Sequence, residues 1–269
     1  MNSQPADINA LLSGAEQDGH ISPQTTAVLK TRNLNALLQQ GLGKPAVSVS
    51  LAQIFGQVVV LDDSSSIADA NNEQIIRDGF NSMRKELISS TARDEIMIAV
   101  TQLNRGILVP FTPLVDCVEL NSSNYEGNGR TPQYEGIVTG AGLLLSKWRE
   151  FADQGAEFRG ALVFVGDGAH YNPGGKLRKD DVRQTLEDLR RQGPERFLAL
   201  FIGIDDGHTD FKAEGIAMGF DANKILTPKN TGSEIRKAFQ VASRASKTAS
   251  QSAGGFSKVA TGGFGAVTS

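Results

Sequence analysis

Asp62, Ser64 and Ser66 are the residues whose types and spacing most invite chemistry, because they break abruptly from the apolar run VVVL at residues 58–61. The burst DDSSS, residues 62–66, offers two carboxylates and three hydroxyls. All of these donors are oxygen, which suits hard divalent cations better than zinc, copper or iron. A second acidic break stands at Gly166-Asp167-Gly168, directly after the apolar run ALVFV, residues 161–165. A third polar stretch, NSSNYEGNGRTPQ at residues 121–133, carries Thr131 just ahead of a helical pattern. Donors on three separate loops can act together only if the elements between them bring those loops to one edge.

The apolar pattern supplies such elements. Four consecutive apolar residues, three of them β-branched, read as a strand buried on both faces, the kind found in parallel sheets covered by helices. In such sheets the carboxyl ends of the strands are where ligands bind. Ile76, Phe80, Met83 and Leu87 then recur at helical spacing, followed by the apolar strand EIMIAVT, residues 95–101. The run ILVPFTPLV, residues 107–115, contains Pro110 and Pro113, which cannot donate to a ladder and so push it to a sheet edge. Ile137, Ala141, Leu144, Trp148 and Phe151 mark another helix, and Val182, Leu186 and Leu189 one after the third buried strand. FLALFIGI at 197–204, a short helix around Ile216, the short strand KILT at 224–227 and a helix carrying Ile235, Phe239 and Ala242 complete the order. This alternation predicts an α/β fold: a doubly wound, mainly parallel sheet with one antiparallel edge strand and helices on both faces.

Residues 1–52 read as a partly helical accessory segment, two short helices separated by DGHISP at 18–23. Residues 53–245 hold the α/β domain. Residues 246–269 read as a Ser/Gly-rich flexible tail, with Gly-Gly-Phe repeated at 254–256 and 262–264, because so few apolar side chains offset little ordering entropy. The tail's alternative role is a docking peptide anchored by Phe256 and Phe264, which leaves assembly through the tail open.

With 27 basic and 30 acidic residues the net charge is −3, and no basic excess points to nucleic acid or an anionic membrane. No run approaches the ~18 apolar residues of a membrane span, and MNSQPADINALL lacks the basic start and apolar core of a secretory signal. The single cysteine, Cys117, rules out an internal disulfide framework and fits a reducing cytoplasm, so a cytoplasmic protein is expected. Its setting in LVDCV favours a packed small residue over a nucleophile.

Taken together, Asp62-x-Ser64-x-Ser66 after a buried strand, Thr131 before a long helix and FVGDG at 164–168 resemble the von Willebrand factor A domain over roughly residues 55–245. That family's metal-ion-dependent adhesion site is assembled from those three loops. The resemblance implies that the hydroxyls of Ser64, Ser66 and Thr131 contact a metal, with Asp62 and Asp167 acting directly or through water. Magnesium is the implied occupant, with manganese or calcium as substitutes. Two carboxylates among neutral hydroxyls leave a dication with residual charge for an incoming carboxylate. Members of the family commonly carry glycine between the two serines, where this chain has Ser65. The absence of a signal and the serine-rich run FQVASRAS, residues 239–246, look like small cytoplasmic bacterial members associated with tellurium resistance and stress operons.

The resulting expectation is a non-enzymatic, metal-dependent domain that captures a Glu or Asp of a protein partner, with loops 121–133 and 168–176 supplying specificity. Two other readings compete. A haloacid-dehalogenase-like, magnesium-dependent phosphatase would also place aspartate after a buried strand, but needs a second acid two residues on, where Ser64 stands. A structural or assembly subunit with a silent metal site would give work to the terminal segments.

Overall fold

A computed structural model of the chain describes residues 6–43, 45, 53–89, 96–193 and 196–251. The first strand, β1 (Gln53–Leu61), is buried from Ile54 onward and lies at the middle of a six-stranded sheet. The sheet order is β3 (Gly106–Pro113), β2 (Ile96–Gln102), β1, β4 (Glu157–Gly166), β5 (Phe197–Gly203) and β6 (Ile225–Leu226). All neighbours pair parallel except β2 and β3. The antiparallel β3 is an edge strand and carries both prolines expected to push it there. The fold is the α/β architecture that the apolar pattern predicts.

Because strand side chains alternate between faces, β1 and β4 feed two cores. Val58, Val60, Leu162 and Phe164 point to one side and Val59, Leu61, Val163 and Val165 to the other. On the second side lie α5 (Glu73–Ile88) and α9 (Gly232–Gln251). They approach closely at Gly79, where an added Cβ would sit 2.3 Å from Cδ2 of Phe239. The first side holds α6 (Gln133–Ala152), α7 (Lys179–Arg191) and the short α8 (Phe211–Ala217).

The N-terminal segment contains three described helices rather than the expected two: α1 (Ile8–Gln17), α2 (Pro23–Leu29) and α3 (Arg32–Gly41). The extra break comes at Lys30–Thr31, where the Thr31 hydroxyl donates back to the Val28 carbonyl at 2.8 Å and competes with helix continuation. These helices form a packing layer on the first side. Ile8, Leu12, Leu29 and Leu38 are fully buried in the core of the first side. Consequently α6 is enclosed on two sides: an added Cβ at Gly140 would meet Leu162 at 2.6 Å, and one at Gly142 would meet Leu29 at 2.7 Å.

Two polar devices bind this layer. The ammonium of the fully buried Lys147, on α6, donates to the Leu42 carbonyl at 2.9 Å and pairs with Glu150 at 2.8 Å. The Ser22 amide and hydroxyl donate to Oδ2 of the buried Asp188, on α7, at 2.8 and 2.7 Å.

At the other end, α9 runs through residues 246–251, the start of the expected flexible tail, and Ser246, Ala249 and Ser250 are buried. The Gly-Gly-Phe repeats and their phenylalanines, and the first residues of the chain, lie outside the described residues, as does Glu95 of the second expected strand. Cys117 is buried, with its thiol pushed up to about 11 by burial, as a packing residue should be. Among the described residues, no helix is long and apolar enough to cross a membrane.

Candidate metal centre

The register of β1 against β4 creates the site. Leu61 lies opposite Val165, so the residues just beyond them, Asp62 and the Gly166-Asp167 pair, emerge side by side from the same sheet edge. The Asp62 amide continues the ladder by donating to the Val165 carbonyl at 2.8 Å. From β1 the chain crosses to β2 on one side, while β4 and β5 lie on the other, so this edge is the point where strand order reverses and a crevice forms.

Ser64 caps the short helix α4 (Ser65–Asp69), which turns the serines back over the crevice. The Ser64 amide donates to Asp62 Oδ1 at 2.9 Å. The Ser64 and Ser66 hydroxyl oxygens stand 3.0 Å apart, and Ser66 donates to Asp167 Oδ1 at 2.6 Å. Gly168 leaves room beside them: a Cβ built there would lie 3.5 Å from Ser66 Oγ and 3.7 Å from Thr131 Oγ1. Thr131 is fixed by a two-bond bridge, its amide donating to the Tyr171 carbonyl at 3.2 Å and the Tyr171 amide to its own at 2.9 Å. All five residues singled out from the sequence, Asp62, Ser64, Ser66, Thr131 and Asp167, therefore stand at one place on three loops.

The electrostatics are those of crowded, dehydrated carboxylates. Asp62 is fully buried and its carboxyl is raised to about 7, first by burial and then by Asp167 and Asp63, with the Ser64 bonds opposing. Asp167 is also raised by burial, against hydrogen bonds from Ser66 and Asn72. Asp62 Oδ2 is buried without a hydrogen-bond partner among the described residues, a costly state for a carboxylate oxygen. A cation reached directly or through water would offset that cost.

The donor set fits a hard cation. Among the described residues no group of three or more His, Cys, Asp or Glu side chains could hold a metal, so a cation here would depend on hydroxyl oxygens. Mg²⁺, Mn²⁺ and Ca²⁺ accept such ligands, and none of the five residues offers a thiolate or imidazole.

Several supporting residues lay beyond the sequence reading. Asp63, the second acid of the doubled pair, is a hydrogen-bonding loop carboxylate that is fully buried, and its Oδ1 accepts from the Asn104 amide at 2.8 Å and side chain at 3.0 Å. Asn104 in turn accepts from the Arg130 amide at 3.1 Å and donates to its carbonyl at 2.8 Å, holding the residue before Thr131. The buried Tyr125 donates its hydroxyl to the Asp62 carbonyl. Arg77 grips the Tyr125 carbonyl at 2.8 and 3.0 Å, and Glu73 accepts from the Gly127 amide at 2.7 Å. The doubled acid at 62–63 was the visible signal. His170, three residues after Asp167, is half-buried and stacked on Tyr134 with ring centroids 3.6 Å apart.

No protein-family model and no curated protein matches the chain. Solved structures do. The pilus adhesin SpaC from Lactobacillus rhamnosus GG matches at TM-score 0.54 and 11% identity, over 74% of this chain and 31% of that one. The vWF domain of the type V pili tip protein Mfa5 from Porphyromonas gingivalis matches at TM-score 0.51 and 12% identity, over 76% of this chain and 99% of that one. A looser match, at TM-score 0.45 and 18% identity over 72% of this chain and 48% of that one, is proximal thread matrix protein 1 from the mussel byssus, with a zinc-occupied MIDAS motif. The chain spans about a third of the pilus adhesin and about half of the thread protein. The fold is thus of the von Willebrand factor A type, a mixed sheet wrapped by helices, and the Mfa5 match extends over nearly the whole of that domain.

Proposed function

We propose that this chain is a metal-dependent protein-interaction domain, in which Mg²⁺ held by Asp62, Ser64, Ser66, Thr131 and Asp167 receives a Glu or Asp side chain from a partner. The observation that carries this reading is the convergence of three neutral hydroxyls with only two carboxylates, one of which keeps a buried oxygen without a partner among the described residues. A dication in that setting supplies a Lewis-acidic position not neutralised by its own ligands. The chain's residues do the rest. Tyr125, Asn104, Arg77 and Glu73 hold the loop of Thr131 in place, and Tyr171, 62% exposed and hydrogen-bonded to Thr131, stands at the rim.

The reading is non-enzymatic. Its support is that Asp62, the residue a phosphatase would use as nucleophile, is fully buried with one oxygen on the Ser64 amide. The narrower assignment, to a cytoplasmic bacterial stress-response or assembly complex, is supported by the sequence resemblance alone.

Immobilised protein should retain partners from native lysate in millimolar Mg²⁺, release them on chelation, and fail to capture them as Thr131→Ala. Recovery of the same partners with and without chelator would sink the mechanism.

A further inference from the structure

Ser65 occupies the position between the two site serines. It opens α4 with its side chain turned away from the hydroxyl cluster toward the loop of Thr131. Three hydrogen bonds join it to a single residue of that loop. The Ser65 amide donates to the Gly129 carbonyl at 3.1 Å, the Ser65 hydroxyl donates to the same carbonyl at 3.2 Å, and the Gly129 amide donates to the Ser65 hydroxyl at 3.1 Å.

Gly129 is fitted for this contact. Its φ is +110°, a conformation that side chains rarely adopt, and a Cβ there would meet Asn104 Oδ1 at 2.7 Å. Asn104 holds Arg130 by two further bonds from the opposite side. Residues 129 and 130 are therefore clasped between Ser65 and Asn104 immediately before Thr131. Without the Ser65 hydroxyl, the Gly129 amide would lose its acceptor and only the backbone bond would remain.

We propose that Ser65 is a positioning residue whose hydroxyl latches the loop bearing Thr131 to the loop bearing Ser64 and Ser66, fixing the Thr131 hydroxyl against the serine pair. The consequence for metal binding rests on the function proposed above, whereas the latch itself does not. Ser65 is exposed, so its loss is felt locally rather than in global stability.

Full-length wild type, Ser65→Ala and Ser65→Thr should be compared by two readouts. In chelator-treated protein, amide exchange at Gly129 should quicken roughly fivefold in Ser65→Ala and stay slow in Ser65→Thr, as local opening equilibria allow. Unchanged Gly129 exchange in Ser65→Ala would overturn the latch. In Mn²⁺ titrations, Ser65→Ala should bind about tenfold more weakly, the order seen when support for a ligand is removed. Ser65→Thr should restore affinity, and Ser65→Ala should cost nothing further in a Thr131→Ala background. Quickened exchange with wild-type Mn²⁺ affinity would overturn the positioning role. If the wild type itself binds no Mn²⁺, the metal reading falls, and Gly129 exchange still decides the latch.

Discussion

Asp62→Asn is expected to weaken Mn²⁺ binding by about 10–100-fold while making the chelator-treated protein behave better, relative to wild type, as pH rises. The first effect follows from removing one of only two carboxylates at the site. The second follows from linkage. Asp62 titrates at about 7 in the fold against an ordinary 3.8, so below about pH 4 it is protonated folded or unfolded and contributes no difference. Between about pH 4 and 7 the unfolded chain gives up this proton and the folded chain keeps it, so wild-type stability falls as pH rises through that window. Above 7 the full cost of the buried charge is present and constant. Asp63 and Asp167 are raised by burial as well and slope the same way.

Asparagine keeps the oxygen that accepts from the Ser64 amide and removes the charge. The midpoint difference between variant and wild type, measured in chelator, should therefore grow in the variant's favour from pH 4 to 8 by roughly 5 °C. Saturating Mg²⁺ should reverse the comparison at pH 8, because only wild type binds it well. A pH-independent difference would show that Asp62 is not a buried, dehydrated carboxylate.

Lys147→Met should destabilise the protein by about 3–5 kcal/mol, lowering the urea midpoint without changing its slope. The substitution keeps an apolar stem between Phe111 and Phe151, whose ring centroids lie 5.8 and 5.7 Å from the ammonium, and removes the charge. Glu150, buried on the next turn of α6, then loses that ammonium, and the Leu42 carbonyl loses its donor. The pair Lys147→Met with Glu150→Gln should recover more than half of the loss, since it removes the buried carboxylate together with the ammonium it pairs with. A single variant within about 1 kcal/mol of wild type would contradict the view that this pair fastens the N-terminal layer to α6.

What could be read from the sequence was what is written locally. Continuous apolar runs ending in acids gave the strands and their chemical ends, and the prolines of β3 gave its edge position. The five residues that the structure brings together at the candidate site could be picked out as well, because each lies at a strand end or helix start. Their mutual distances could not, since those depend on the register that sets Leu61 against Val165 across about a hundred residues of chain.

The supports were hidden for the same reason. Asn104, Tyr125 and Arg77 act on residues far away in sequence, and nothing in their own neighbourhoods announces it. Two differences share a physical cause. The leucines of residues 28–38 showed helical spacing but neither their partner in the core nor the break at Thr31, so two packing helices were legible where three stand. The serines and alanines after residue 245 looked too poor in apolar area to order, yet small side chains let α9 remain packed in the core it shares with α5.

The most direct measurement is a Mn²⁺ titration followed by electron paramagnetic resonance, on wild type, Ser64→Ala and Thr131→Ala, each checked for folding by circular dichroism. The site described here predicts that wild type removes the free-ion signal and that both variants, altered on different loops, leave it in solution. Free Mn²⁺ throughout the wild-type titration, or wild-type binding by Thr131→Ala, would contradict a cation site built across these loops.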